Sequence, residues 1–84
     1  MHEVYFVFKS VTRGQRAEQA LQQHALYQRL QRSPRALSPS GCGYALVVRQ
    51  KDAPLAAQLL RRQGIAFDGP YLREKDGSFT EVGV

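Results

Sequence analysis

The sequence has almost none of the residues from which small metal or catalytic centres are built. Its 84 residues hold one cysteine, Cys42, and two histidines, His2 and His24. A single cysteine excludes a disulfide framework within the chain. Cys42 and two separated histidines do not supply the clustered four ligands of a zinc site, so neither metal nor cofactor is expected. The seven acidic residues show no paired-carboxylate spacing and the glycines match no phosphate-binding loop. The apolar run Val4-Tyr5-Phe6-Val7-Phe8 is far too short for a signal-peptide core or a membrane span. Internal repeats and low-complexity segments are missing too. A soluble, cytoplasmic, reducing setting without membrane contact is the expectation.

A chain of this length makes one domain and buries only about 60–65% of its unfolded surface, so a deep enclosed pocket would be costly. That favours a binding module, a carrier or an accessory subunit over a stand-alone enzyme. What the chain does have is positive charge. Twelve Lys and Arg against seven Asp and Glu give +5, and nine of the twelve are arginine. Arginine binds carboxylates and phosphates bidentately, so the bias suits anionic partners, protein or nucleic acid. A merely solvated basic surface is the plainer alternative.

Residues 3–9 are β-branched and aromatic and predict a strand, with Val4, Phe6 and Phe8 on one face and Tyr5 and Val7 on the other. Apolar on both faces, it belongs in the centre of a sheet. Thr12 followed by Gln15 fits a capping box, predicting a helix from about Arg13 whose inner stripe is Ala17, Ala20, Leu21 and His24. The polar stretch 26–32 reads as a second strand at a sheet edge. Pro34, Pro39, Gly41 and Gly43 mark a loop, and 44–49 is a further strand. Asp52, Pro54 and Gly64 punctuate a second helix as N-cap, first turn and C-terminal stop. A last strand over 65–72 is interrupted or ended by Asp68-Gly69-Pro70. Residues 74–84 read as a tail or a short hairpin around Asp76-Gly77, beyond a domain of residues 1–73. The order β-α-β-β-α-β predicts an α+β, ferredoxin-like fold, a four-stranded antiparallel sheet with two helices on one face. Its other face must be solvated or covered, in part by Phe79, Val82 and Val84 or by self-association.

In that topology the first helix starts at the sheet edge from which the loop after the second strand emerges. Cys42, at the end of this loop, is therefore expected near a helix N-terminus, whose dipole and free N–H groups favour a thiolate. Arg13, Arg16 and Arg35 are the arginines expected to help. Gly41 and Gly43 would permit positive φ angles and leave the sulfur open to a large reaction partner. The alternative is that Cys42 is simply a small apolar residue beginning a strand. His24 is not expected to be its base. It lies some 11–12 residues beyond the helix start, about 17 Å along the axis, and packing or C-terminal capping is its expected role.

Pro34-Arg35-Ala36-Leu37-Ser38, then Cys42-Gly43 with Ala45-Leu46 in the next strand, resembles the selenium/sulfur (Se/S) carrier protein-like family of small bacterial proteins. The likeness extends upstream through Ser10, Thr12, Arg16, Ala17, Glu18 and Leu21, and downstream to Gly64-Ile65, covering roughly residues 3–72. Where such proteins often close the first helix with glycine, Ala25 stands here, and the tail from about Arg73 has no counterpart. The resemblance implies a carrier that takes sulfane sulfur or selenium on Cys42 as a persulfide or perselenide and passes it from a donor protein to an acceptor protein. It also brings Ser38 into the candidate site.

Two other readings belong to different classes. The segment from Gly43 to Arg49 partly fits the third-strand motif of an RNA-recognition domain, with Tyr44 and Tyr5 as stacking rings on an open sheet face. Cover for that face is the plainer role for both tyrosines. The other reading is a non-catalytic adaptor that pairs through the open face or an edge strand, with a homo-oligomer as one form of that pairing.

Overall fold

The computed structural model describes residues 2–39, 41 and 43–83. Along them run β1 (Glu3–Phe8), α1 (Val11–Gln22), β2 (Gln28–Arg32), β3 (Tyr44–Arg49), a 3-10 turn (Gln50–Asp52), α2 (Ala53–Arg62), β4 (Asp68–Arg73) and β5 (Phe79–Glu81). The strands form one antiparallel sheet in the order β2-β3-β1-β4-β5. The class is α+β, as expected, but the four-stranded sheet is corrected to five strands. The extra one is the tail, folded back as a hairpin in which Asp76 accepts hydrogen bonds from the Ser78 N–H (2.9 Å) and hydroxyl (2.6 Å). Neither helix is long and apolar enough to cross a membrane.

β1 takes the central place its two apolar faces predict. Val4, Phe6 and Phe8 join Leu46 and Val48 of β3 beneath the helices, packed against Ala17, Leu21, Ala56 and Leu60. Tyr5 joins Ala45 and Val47 on the other face, under Leu37, Tyr71 and Phe79. The Phe79 ring meets Tyr5 edge-on at 5.0 Å, so the hairpin supplies the cover expected of it. Val84, named for the same role, lies outside the described residues.

Three local expectations are corrected. The cap of α1 is Ser10, whose hydroxyl accepts from the Arg13 N–H (3.2 Å), and the helix begins at Val11. Thr12 is already inside it, because the extended Ser10, two residues beyond β1, reaches the orphan N–H first. His24 does not join the buried stripe. It is exposed, and Nδ1 sits 3.1 Å from the Ala20 carbonyl; a carbonyl only accepts, so this nitrogen carries the proton and caps the helix end. Asp68-Gly69-Pro70 opens β4 rather than ending a strand, since a register shift against Tyr5 and Val7 accommodates it.

Both helices end in the same Schellman arrangement. After α2, the Gly64 N–H donates to Arg61 (3.1 Å) and the Ile65 N–H to Leu60 (3.0 Å), with Gly64 at φ 68°. After α1, the Ala25 N–H donates to Gln22 (3.0 Å) and the Leu26 N–H to Leu21 (3.2 Å), with Ala25 at φ 57°. An alanine thus occupies the left-handed position that glycine fills in the other helix.

Candidate functional site

The register sets Phe8, Arg32, Tyr44 and Asp68 at one end of the strands. α1 starts at this end, and the β2–β3 loop closes there. The loop is held by its own polar groups. The Pro34 carbonyl accepts from the Leu37 and Ser38 N–H groups, both at 3.0 Å, forming a tight turn that proline initiates. The Ser33 N–H donates to the Gly43 carbonyl (3.0 Å), pinning the two ends together. The Ser38 hydroxyl donates to that of Ser33 (3.0 Å), and the Gly41 N–H to the Ser38 carbonyl (2.9 Å). Leu37 anchors the turn by packing on the Tyr5, Ala45 and Val47 face.

Gly43 and Gly41 serve different ends. Gly43 is buried, and a Cβ there would lie 2.6 Å from Ser38 Oγ and 3.5 Å from the Phe8 carbonyl oxygen. Its requirement is space, not the positive φ expected. Gly41 has φ 79° and is exposed, and a Cβ added there would meet nothing within 4 Å. Cys42, between them in the chain, lies outside the described residues. What is described is that the chain enters β3 beside Phe8, two residues before the Ser10 cap of α1.

The remaining candidates divide. Arg35 is exposed on the turn after Pro34. Arg13 is exposed in the first turn of α1, but on the other flank. It lines a depression of about 110 Å³ with Lys9, Phe67 and Asp68, so no described contact joins it to Arg35. Ser38 is part of the clamp. Ser33 was not singled out from the sequence, and Leu37 only as one position of the motif. The Ser-Pro step was a usable signal for Ser33, whereas the role of Leu37 depends on which sheet face the loop folds across.

Tyr5 and Tyr44 do not form one stacking platform. Tyr5 is 2% exposed beneath Leu37, Tyr71 and Phe79. Tyr44 pairs with Phe8 and stands on the helix side, where a Cβ on Gly14 would come within 3.6 Å of its own. Side chains alternate along a strand, and β1–β3 pairing puts these two on opposite faces.

A larger depression, about 330 Å³, lies at the opposite end of the strands, lined by Glu3, Tyr27, Arg29 and Arg49. Its charged groups engage one another. Arg29 donates to Glu3 (2.9 Å) and Gln31 (2.8 Å), while Arg49 meets Asp52 (3.2 Å) and lies 5.4 Å over the Tyr27 ring. The hydrogen bond from Arg29 lowers the Glu3 pKa, against the opposing effect of burial. These pairs read as structural closure of the sheet's far end.

The Pro-Arg-x-Leu-Ser…Gly pattern therefore has a physical basis. Pro34 makes the turn, Leu37 anchors it, Ser38 clamps it and Gly43 leaves room for the clamp. No curated protein and no solved structure matches the chain. The model of one family does, from the first residue of β1 almost to the end of β4, residues 3–72: the chain belongs to the family described as Putative Se/S carrier protein-like.

Proposed function

We propose that the protein carries sulfane sulfur or selenium on Cys42 between two other proteins in the cytoplasm. The observation that carries this reading is the β2–β3 loop. Four positions of its motif are accounted for by the turn, anchor, clamp and close approach just described, while Arg35 is exposed and takes no part in them. In the same reading, β1–β4 with the two helices form a ferredoxin-like unit to which β5 is appended.

The chemistry needs no oxidant or reductant. The Cys42 thiolate attacks the outer sulfur of a donor persulfide, R–S–SH. The donor's S–S bond breaks, a new one forms to Cys42, and the donor leaves as R–S⁻ with the proton kept on the transferred sulfur. The acceptor's thiolate then attacks that sulfur and Cys42 leaves as a thiolate. The start of α1 favours the thiolate, and Arg35 orients an anionic partner. Gly41 gives the loop an open approach.

Intact mass spectrometry tests this. Reduced protein is exposed to a cysteine desulfurase and cysteine beside a Cys42→Ser control. Gain of one sulfur on the native chain alone, removed by a reductant, is the expected result. No gain, with a thiol that alkylates at the pH of an ordinary cysteine, would leave Cys42 a packing residue and end the carrier reading.

A further inference from the structure

The strand register and the helix directions place most charged side chains toward one end of the molecule or the other. Lys9, Arg13 and Arg16 follow β1 into the first half of α1, and Arg32 and Arg35 close β2 and enter the loop. α2 runs back toward the same end and brings Arg61 and Arg62 in its last turn. One carboxylate, Asp68 at the start of β4, accompanies these seven cations, a balance of +6. The opposite end holds the other five cations and five carboxylates, a balance of zero, and Glu18 sits near the middle of α1, two residues beyond Arg16. The positive excess of the chain, +5 overall, is therefore concentrated where the β2–β3 loop closes.

We propose that this end is a docking surface for an acidic protein surface, belonging to the donor or the acceptor of the transferred atom. That the partner is a transfer partner rests on the carrier reading; the charge placement does not. Lys9, Arg13, Arg16, Arg32, Arg35 and Arg62 make no ion pair with a described carboxylate, so their charge faces outward. Arginine, five of these six, matches carboxylates bidentately.

The aromatics favour protein over nucleic acid. Single-stranded RNA is bound by stacking bases on open rings. At the basic end the rings of Tyr44 and Phe67 are half-buried, and each already lies under an arginine, Arg32 at 6.0 Å and Arg61 at 5.5 Å. The widely exposed ring, Tyr27 at 66%, precedes β2 at the other end.

The test reads binding rather than transfer and uses three cations of the basic end. Lys9→Glu, Arg16→Glu and Arg62→Glu reverse the basic end, and Lys51→Glu, Arg73→Glu and Lys75→Glu make the same change of net charge at the other. All six side chains are exposed, and circular dichroism checks that each triple variant folds. The neutral set Lys9→Gln, Arg16→Gln and Arg62→Gln provides a milder version of the first. Binding of a fluorescein-labelled oligoglutamate peptide is read by anisotropy at low salt and at about 0.15 M, where the Debye length is about 8 Å. Reversal at the basic end is expected to weaken binding at least about tenfold, the low end of electrostatic focusing, with the neutral set intermediate and the far-end triple close to native. Equal losses in both triples, or no binding at low salt, would overturn the proposal. Tighter binding of poly(U), lost on reversal of the basic end, would also overturn it and give the surface to nucleic acid. If glutathione persulfide fails to load Cys42 while oligoglutamate still binds the basic end, the carrier reading falls and the docking surface stands.

Discussion

Replacing Ala25 with glycine should make the protein more stable, although it removes a methyl group and adds no contact. Ala25 is exposed at φ 57°, where an L side chain crowds its own carbonyl at a cost of roughly 1–2 kcal/mol. Glycine relieves that crowding but enlarges the unfolded ensemble, which offsets about 0.4–1 kcal/mol. The expected net gain is about 0.5–1 kcal/mol. For a domain of 84 residues, at about 4–8 °C per kcal/mol, the melting temperature should rise by roughly 2–8 °C. The second helix end is an internal control. Gly64 makes the same pair of hydrogen bonds at φ 68°, with nothing within 4 Å of an added Cβ, so Gly64→Ala should lose about what Ala25→Gly gains. Thermal unfolding followed by circular dichroism, with urea midpoints for both variants, measures the two shifts. An unchanged or lower melting temperature for Ala25→Gly would refute the argument that this backbone conformation is strained by the alanine.

Gly43→Ala should cost about 1–3 kcal/mol by overpacking, because its Cβ would press on the Ser38 hydroxyl at 2.6 Å. Adding Ser38→Gly should recover part of that loss in urea denaturation, and no recovery would mean that the clamp is not what excludes a side chain at Gly43. Glu3 has a pKa lowered chiefly by its hydrogen bond from Arg29. Its contribution is therefore present above the unfolded-state pKa and lost as pH falls through the lowered folded value, beneath the ordinary glutamate range. Both partners are about a third or more exposed, so the pair is worth about 0–1 kcal/mol. Urea midpoints measured across that acidic window should fall less steeply for Glu3→Gln than for the native chain, and identical slopes would remove the pair from the stability of the sheet's far end.

Much of the fold was legible because local patterns and tertiary needs agree. β1 declares its central place by being apolar on both faces, and α2 carries its own start and stop in Asp52, Pro54 and Gly64. The misreadings fall where a long-range partner decides. Gly69-Pro70 looks like a break until β1 pairs across it with shifted register. Phe79, Thr80 and Glu81 are too few to announce a strand, and β4 makes them one. Alternation alone separates Tyr44 from Ala45, but only pairing with Phe8 assigns Tyr44 to the helix side. Of the site, the motif was visible and the labour of its residues was not. Ser38 bonds to a residue five positions back, and Gly43 is required by Ser38 rather than by its own dihedral angle.

Leu37 gives the loop a mechanical link to a distant part of the chain. It shares one small cluster with Tyr5, Tyr71 and Phe79, so the turn before Cys42 and the last strand lean on the same few side chains. The family match ends at residue 72, which leaves Phe79 and its hairpin outside the segment that defines the family. Stiffness of the loop is thereby set partly by an appendage. Lengthening, trimming or loosening the C-terminal hairpin would slacken the tether at Leu37 and retune how firmly the loop is held, with every residue of the motif left in place.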